Sequence, residues 1–334
     1  MSSSLSPIVR CAAALTAALF LFAGAVRTAP AVLFTLTDAA GDDYGDGSLV
    51  YPLRDDVKPG ELDLISFAAR EESDGTLFEA TFAGPIRRPD RRAIDAGGGT
   101  LDAVATLGFY NFNIDVYVDT DRREGSGRTA LLPGRVGEAA PGSAWERVVC
   151  LTPRPYLAQS QLARLETRAA ERALRAAAAR VDDGELDALS VRTTDEINAR
   201  AFFPTRVSVT GATVRFFVPA SFLGGTARDS WGYIVAVSGA ELEERIDLRS
   251  ALRLGETPAE RLMILPIAPG RRRDAFGGGR QDDPLQPPLV DVIVPRGTTQ
   301  EVVLKDYNIQ EKRPVRLAGV VPAAEAATVT RPSQ

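Results

Sequence analysis

The chain has 334 residues, with 39 basic and 44 acidic side chains, a formal net charge of −5 and no histidine. The missing histidine excludes a Ser-His-Asp triad, His-ligated zinc and His-ligated haem together. The acidic balance argues against a nucleic-acid partner, which needs a basic surface.

Residues 1–31 read as a signal peptide. Arg10 and the α-amino group give a positive start, and residues 11–26 are apolar and too short to span a bilayer comfortably. The small-residue triplets Ala23-Gly24-Ala25 and Ala29-Pro30-Ala31 put cleavage after Ala25 or Ala31. Cleavage would remove Arg10 and Arg27 and no acid, moving the formal charge from −5 to −7. The expected product is a secreted or periplasmic protein, with cell-surface association as a further expectation, and not an integral membrane protein. Only Cys150 would remain, excluding an internal disulfide. Its apolar neighbours read as a buried strand.

The mature part opens with a β-favouring run at residues 32–37, stopped by an acidic, glycine-rich loop. Residues 62–69 and 76–82 flank Asp74-Gly75 as a hairpin. Residues 112–118 (FNIDVYV) alternate and predict a half-buried strand, and residues 145–151 predict another. The pattern then becomes helical over 157–181, with Leu162, Leu165, Ala169, Ala173 and Ala176 on one face and four arginines on another. Asp182-Asp183-Gly184 reads as its stop, and a short helix at 195–201 follows a capping-box spacing of Thr193 and Glu196. Strands return at 206–210, 213–218, 231–238 and 289–294. Residues 270–288 form a surface loop, and residues 321–334 a fraying tail. The expected architecture is one mainly β domain over 32–320, an antiparallel sandwich with a helical insertion at about 157–201.

The chemistry concentrates in Asp38-Ala-Ala-Gly-Asp42-Asp43-Tyr44-Gly-Asp46-Gly47. Four carboxylates in ten residues invite a hard cation, and calcium accepts six to eight oxygens in flexible geometry. A solvated acidic turn fits the same composition. A second cluster, Asp119, Asp121 and Glu124 with Arg122 and Arg123 among them, reads as a hairpin turn ahead of a metal site.

The same residues carry a family resemblance. Asp38, Gly41-Asp42-Asp43-Tyr44-Gly45-Asp46-Gly47, Tyr51-Pro52 and Leu62-Asp63-Leu64 resemble the opening of the C-terminal module of glucodextranase. Ile114-Asp115-Val116-Tyr117-Val118-Asp119, Leu132-Pro133-Gly134-Arg135, Val218-Pro219-Ala220-Ser221-Phe222-Leu223-Gly224, Phe276-Gly277-Gly278-Gly279 and Val290-Asp291-Val292-Ile293 resemble its later segments in order. The resemblance implies a DOMON-like, jelly-roll type β-sandwich without catalytic activity. It implies attachment to polysaccharide or cell-envelope glycan, and calcium as cofactor. On this reading Asp38, Asp42, Asp43, Asp46, Asp63 and Asp115 are the metal-ligand candidates.

Sugar modules stack pyranose faces on exposed aromatic rings. Tyr44, Tyr51, Phe109 and Tyr110 are the candidates here. Trp145 and Trp231 begin strands, where burial is the default. The tryptophan usual before the family's central strand is missing, which favours an alternative: an envelope or scaffold protein whose helical insertion docks a protein partner. Met263, the one internal methionine, makes a haem-binding relative a remote reading. A glycosidase built on paired carboxylates would need two acids in distinct environments, and no such pair stands out.

Overall fold

The computed structural model describes residues 30–93, 99–177, 181–242, 261–280 and 283–329, and the expected signal peptide lies almost wholly outside them. From Ala31 onward the described residues make one compact unit. Its frame is two five-stranded sheets. The first has the order β1 (Val32–Thr37), β2 (Leu64–Glu72), β3 (Gly75–Phe82), β9 (Thr213–Pro219), β8 (Val207–Thr210). The second has the order β11 (Asp291–Val292), β10 (Gly232–Gly239), β4 (Phe112–Asp119), β6 (Arg147–Leu151), β7 (Ala201–Phe202). Neighbours pair antiparallel except β6 with β7, and a separate parallel pair joins β5 (Gly137–Ala139) to β12 (Val315–Leu317). The mainly β sandwich expected from the sequence is therefore the fold observed.

The first sheet follows the period-2 rule. In β3, Phe78, Ala80 and Phe82 are buried while Leu77, Glu79 and Thr81 are only partly covered. Phe67, Phe78 and Phe216 meet across three adjacent strands, with ring centroids 5.2 to 6.5 Å apart. Each such ring contributes roughly 1.5–3 kcal/mol by leaving water. On the opposite face, Glu79 takes Arg70 at 2.7 Å and Arg215 at 2.5 Å. The β2–β3 turn residues are Ser73 and Asp74, and Gly75 already pairs with Glu72. A Cβ on Gly75 would lie 2.2 Å from the Val218 carbonyl oxygen, so close approach of β9 requires glycine here.

The second sheet is covered on both faces. Every residue of β4 and β10 is buried, where β4 was expected to be half buried. Ile114, Val116 and Val118 face the other sheet. Tyr117, Val148, Cys150 and Ile234 face a second apolar cluster containing Ala158, Leu162 and Ile197. Those last three belong to helices α2 (Pro155–Ala177) and α3 (Asp183–Arg200), following the short α1 (Leu101–Val104). The insertion thus roofs the sheet.

Helix α2 confirms the face begun by Leu162 and Leu165, but Ala169, Ala173 and Ala176 are exposed because the helix runs past the sheet it covers. Helix α3 begins twelve residues earlier than the expected 195–201 helix, at Asp183. Asp182 is its N-cap, accepting from the Glu185 N–H at 2.9 Å while the Glu185 side chain accepts from the Asp182 N–H at 3.1 Å. The Asp-Asp-Gly stop of one helix is therefore also the start of the next, and Thr193 and Glu196 lie inside it. Helices α4 (Ala220–Leu223), α5 (Gln300–Leu304) and α6 (Pro322–Val329) follow among the described residues. The expected fraying tail is helical over α6, where a proline at the first helical position precedes an Ala-rich run. Among the described residues, no helix is long and apolar enough to cross a membrane.

Candidate metal centre

The acidic loop connects β1 to β2 and closes at the end of the sandwich where β11 meets it. Gly45 has φ 59°, and a Cβ there would lie 2.6 Å from the Leu289 carbonyl oxygen. Glycine therefore lets the loop lie against the chain entering β11. The Gly45 N–H donates to the Val290 carbonyl at 2.9 Å. Gln300, buried at the start of α5, fastens the same junction. Its Nε2 donates to the carbonyls of Asp42, Gly45 and Val290 at 2.6, 3.1 and 3.1 Å, and its Oε1 accepts from the Val292 N–H at 2.5 Å.

This packing gathers four acids. One carboxylate oxygen from each of Asp42, Asp63 and Asp291 lies within 4.8 Å of the others. The second Asp63 oxygen accepts from the Gly41 N–H at 2.7 Å, and the second Asp291 oxygen from the Leu64 N–H at 2.6 Å. Asp38 adjoins Asp291 and accepts from the Ala39 N–H at 3.0 Å. One buried oxygen of each of Asp38, Asp42, Asp63 and Asp291 has no hydrogen-bond partner.

The electrostatics follow from that geometry. Burial first, then the charges of Asp42 and Asp63, push Asp38 up to about 7. Asp42 is raised by burial and by Asp63, and Asp63 by burial and by Asp43. Asp291 rises well above the carboxylate range through burial and the charges of Asp38 and Asp42. Buried like charges are costly unless protonated or paired with a cation. Calcium binds oxygens at about 2.3–2.6 Å, so its ligands sit at most about 5 Å apart. Three carboxylates that bring an oxygen apiece within 4.8 Å of one another, and that each hold a buried oxygen without a hydrogen-bond partner, fit such an ion.

The structure places the remaining candidates elsewhere. Asp43 accepts from the Tyr51 hydroxyl and from the Gly60 N–H at 2.7 Å, pinning the loop. Asp46 accepts from the Ser48 N–H at 3.0 Å and from Gln286 Nε2 at 3.2 Å, turned from the cluster. Asp115 lies on the opposite face of the second sheet, because alternation sends its neighbours Ile114 and Val116 into the sandwich. There it pairs with Arg135, at 2.7 Å to Nε and 3.2 Å to Nη2, so it is not part of the cluster.

Three of the four stacking candidates are core residues. Tyr51 packs on Phe276, Phe109 stacks on Phe112 with centroids 4.6 Å apart, and Tyr110 is covered by Arg92. Their exposures are 3 %, 0 % and 2 %, leaving no ring face for a ligand, whereas Tyr44 is 39 % exposed. Trp145 and Trp231 lie just ahead of β6 and β10 and are buried, as expected.

Asp291 was missed from sequence, although its signal was present. An acid between Val290 and Val292 in a β-favouring run has a buried charge to satisfy. At the second acidic cluster, Asp119, Asp121 and Glu146 converge, in a loop much longer than a hairpin turn. Arg122 N–H, Arg123 N–H, Thr120 N–H and Ser126 Oγ donate to these acids, so the group holds its own loop together.

Fold and site together define a β-sandwich with a buried carboxylate cluster at the junction of the acidic loop and β11. Residues 33–319 match the family described as the C-terminal binding-module, SLH-like, of glucodextranase, and the chain belongs to that family. The family is one of binding modules and not of catalytic domains. A comparison with curated proteins found no match.

Proposed function

We propose that this chain is an exported, calcium-stabilised module that binds carbohydrate, holding its bearer on polysaccharide or cell-envelope glycan. The observation that carries the calcium reading is the set of unpartnered oxygens on Asp42, Asp63 and Asp291. Family membership supports the binding role. When bound, the ion supplies positive charge that offsets the buried carboxylates. The protein's own part is structural. Asp42 and Asp38 come from the loop, Asp63 from the entrance to β2 and Asp291 from β11, so deprotonated ligands tie three segments together. Binding to the folded state alone stabilises it by mass action.

A glycan array probed with and without calcium tests this reading. Retention of a defined glycan that weakens on chelation supports it. Absence of glycan binding in both conditions removes the carbohydrate assignment.

A second reading is favoured by the uncovered Ala169, Ala173 and Ala176 face of α2, which would dock a protein partner in an envelope or scaffold role. Substituting the exposed Ala169 and Ala173 together by glutamate would then abolish complex formation and leave glycan binding unchanged.

A further inference from the structure

A chain of formal net charge −5 places Arg271, Arg272 and Arg273 in succession on its surface, all three exposed. They run alongside the segment that follows the acidic loop, in the opposite direction. Val50 and Gly277 exchange both backbone hydrogen bonds, at 3.0 and 2.7 Å, and the Leu53 N–H donates to the Arg272 carbonyl at 2.8 Å. A Cβ on Gly277 would lie 3.1 Å from the Arg271 Cγ. Opposed residues of an antiparallel pair point to one side, so Arg271 lies on the side to which Val50 points. Its Nε donates to the Tyr51 carbonyl at 3.2 Å. Arg272 and Arg273 have no ion-pair partner among the described residues.

The same strip leaves apolar side chains in water. Leu53 is 50 % exposed and Val50 39 %. Tyr44, also exposed, sets its ring edge-on to Tyr51 with centroids 6.0 Å apart. The neighbouring acids do not cancel the arginines. Asp56 is held by Arg54 at 2.8 Å, and Asp274 is half-buried and already engaged. Asp43 is bonded by Tyr51 and Gly60, and Asp55 is the one exposed acid between Leu53 and Asp56.

Free guanidinium groups select an anionic partner, and phosphate oxygens fit their planar donors. The aliphatic tips decide which anionic partner. An acidic polysaccharide offers hydroxyls and carboxylates, which leave Leu53 and Val50 unburied. A lipid interface takes apolar side chains at the acyl boundary, basic ones among the headgroups and tyrosine at headgroup level. Among the described residues no helix is long and apolar enough to cross a membrane, so the contact is one of surface docking.

We infer that this strip docks the module on a membrane surface rich in anionic lipid, with Arg272 and Arg273 at the headgroup phosphates and Leu53 and Val50 at the acyl boundary. The contact is separate from glycan binding and does not depend on it.

The test is co-sedimentation of the whole chain with vesicles of phosphatidylcholine, alone or mixed with phosphatidylglycerol. The expected result is partition onto the mixed vesicles, at least about tenfold stronger than onto phosphatidylcholine and weakened by added salt. Arg272→Glu with Arg273→Glu breaks no ion pair and should weaken the partition about tenfold or more, whereas Arg272→Lys with Arg273→Lys keeps the charge and should retain most of it. Leu53→Asn should weaken it about threefold or more. Partition that neither the double glutamate variant nor Leu53→Asn alters would overturn the assignment of this strip. Absence of partition onto mixed vesicles would overturn the lipid inference and leave the glycan reading standing. Retention on immobilised polygalacturonate without partition onto either vesicle would replace lipid by an acidic polymer.

Discussion

Asp115 and Arg135 form a two-point ion pair, Nε to Oδ2 at 2.7 Å and Nη2 to Oδ1 at 3.2 Å, with both side chains essentially without solvent contact. Arg135 also donates to the carbonyls of Pro133 and Leu262, so its guanidinium ties β4 to two loops. Removing one partner of such a pair strands a buried charge, at about 3–5 kcal/mol. Arg135→Met should therefore destabilise strongly in chemical denaturation. A double variant, Asp115→Leu with Arg135→Met, should recover much of the loss.

The same pair makes Asp115 a control for the metal site. Asp115→Asn should destabilise the fold yet leave calcium affinity unchanged, because Asp115 faces away from the cluster. A large loss of affinity, measured by titration on folded protein, would contradict this placement.

The cluster predicts a reversal of sign between two conditions. In chelator, Asp291→Asn removes a buried carboxyl that the fold must either keep protonated or hold as an unpaired charge, and should raise the melting temperature at neutral pH. In saturating calcium it removes a ligand and should lower the melting temperature relative to the unmodified chain. Equal shifts in both conditions would mean that no ion binds there.

The pH dependence follows from the raised carboxyls. Asp38 titrates near 7 in the folded protein, against 3.8 for its ordinary value, and Asp42, Asp63 and Asp291 are raised as well. Over that interval the folded state binds more protons than the unfolded state. The cluster's contribution to stability therefore falls as pH rises from about 4 to about 7 in chelator. Calcium needs the deprotonated forms, so its stabilising effect should grow over the same interval. Melting curves at pH 5 and pH 8, with chelator and with calcium, read both trends.

Gln300 joins the acidic loop, β11 and α5 through four hydrogen bonds. Gln300→Leu leaves the Val292 N–H and three carbonyls without that partner, at about 1–3 kcal/mol for each group that stays buried and unpaired. Calcium affinity should fall together with stability, although Gln300 is not a ligand candidate.

Much of the sandwich was legible in the sequence because one face of the first sheet meets water. Phe78, Ala80 and Phe82 alternate with Glu79 and Thr81, and such a pattern has one reading. The second sheet hides its outer face under α2 and α3, so Ile114, Asp115, Val116 and Tyr117 alternate between two interiors. Asp115, a ligand candidate by the family resemblance alone, therefore points into the interior away from the acidic loop. The start of α3 was missed because Asp182-Asp183-Gly184 carries stop and start signals at once. In the site, the glycine-rich acidic loop announced Asp38 and Asp42. Asp291 lies more than two hundred residues beyond Asp63, and only the fold brings them together. Tyr51, Phe109 and Tyr110 show the converse limit, since an aromatic ring in a loop has no sequence mark that tells stacking on sugar from packing on phenylalanine.

The most direct test of the account is isothermal titration of chelator-stripped protein with calcium chloride. The account predicts one saturable site per chain, lost in Asp291→Asn and in Asp63→Asn and kept in Asp115→Asn. No saturable binding, or binding that survives both cluster substitutions, would contradict it.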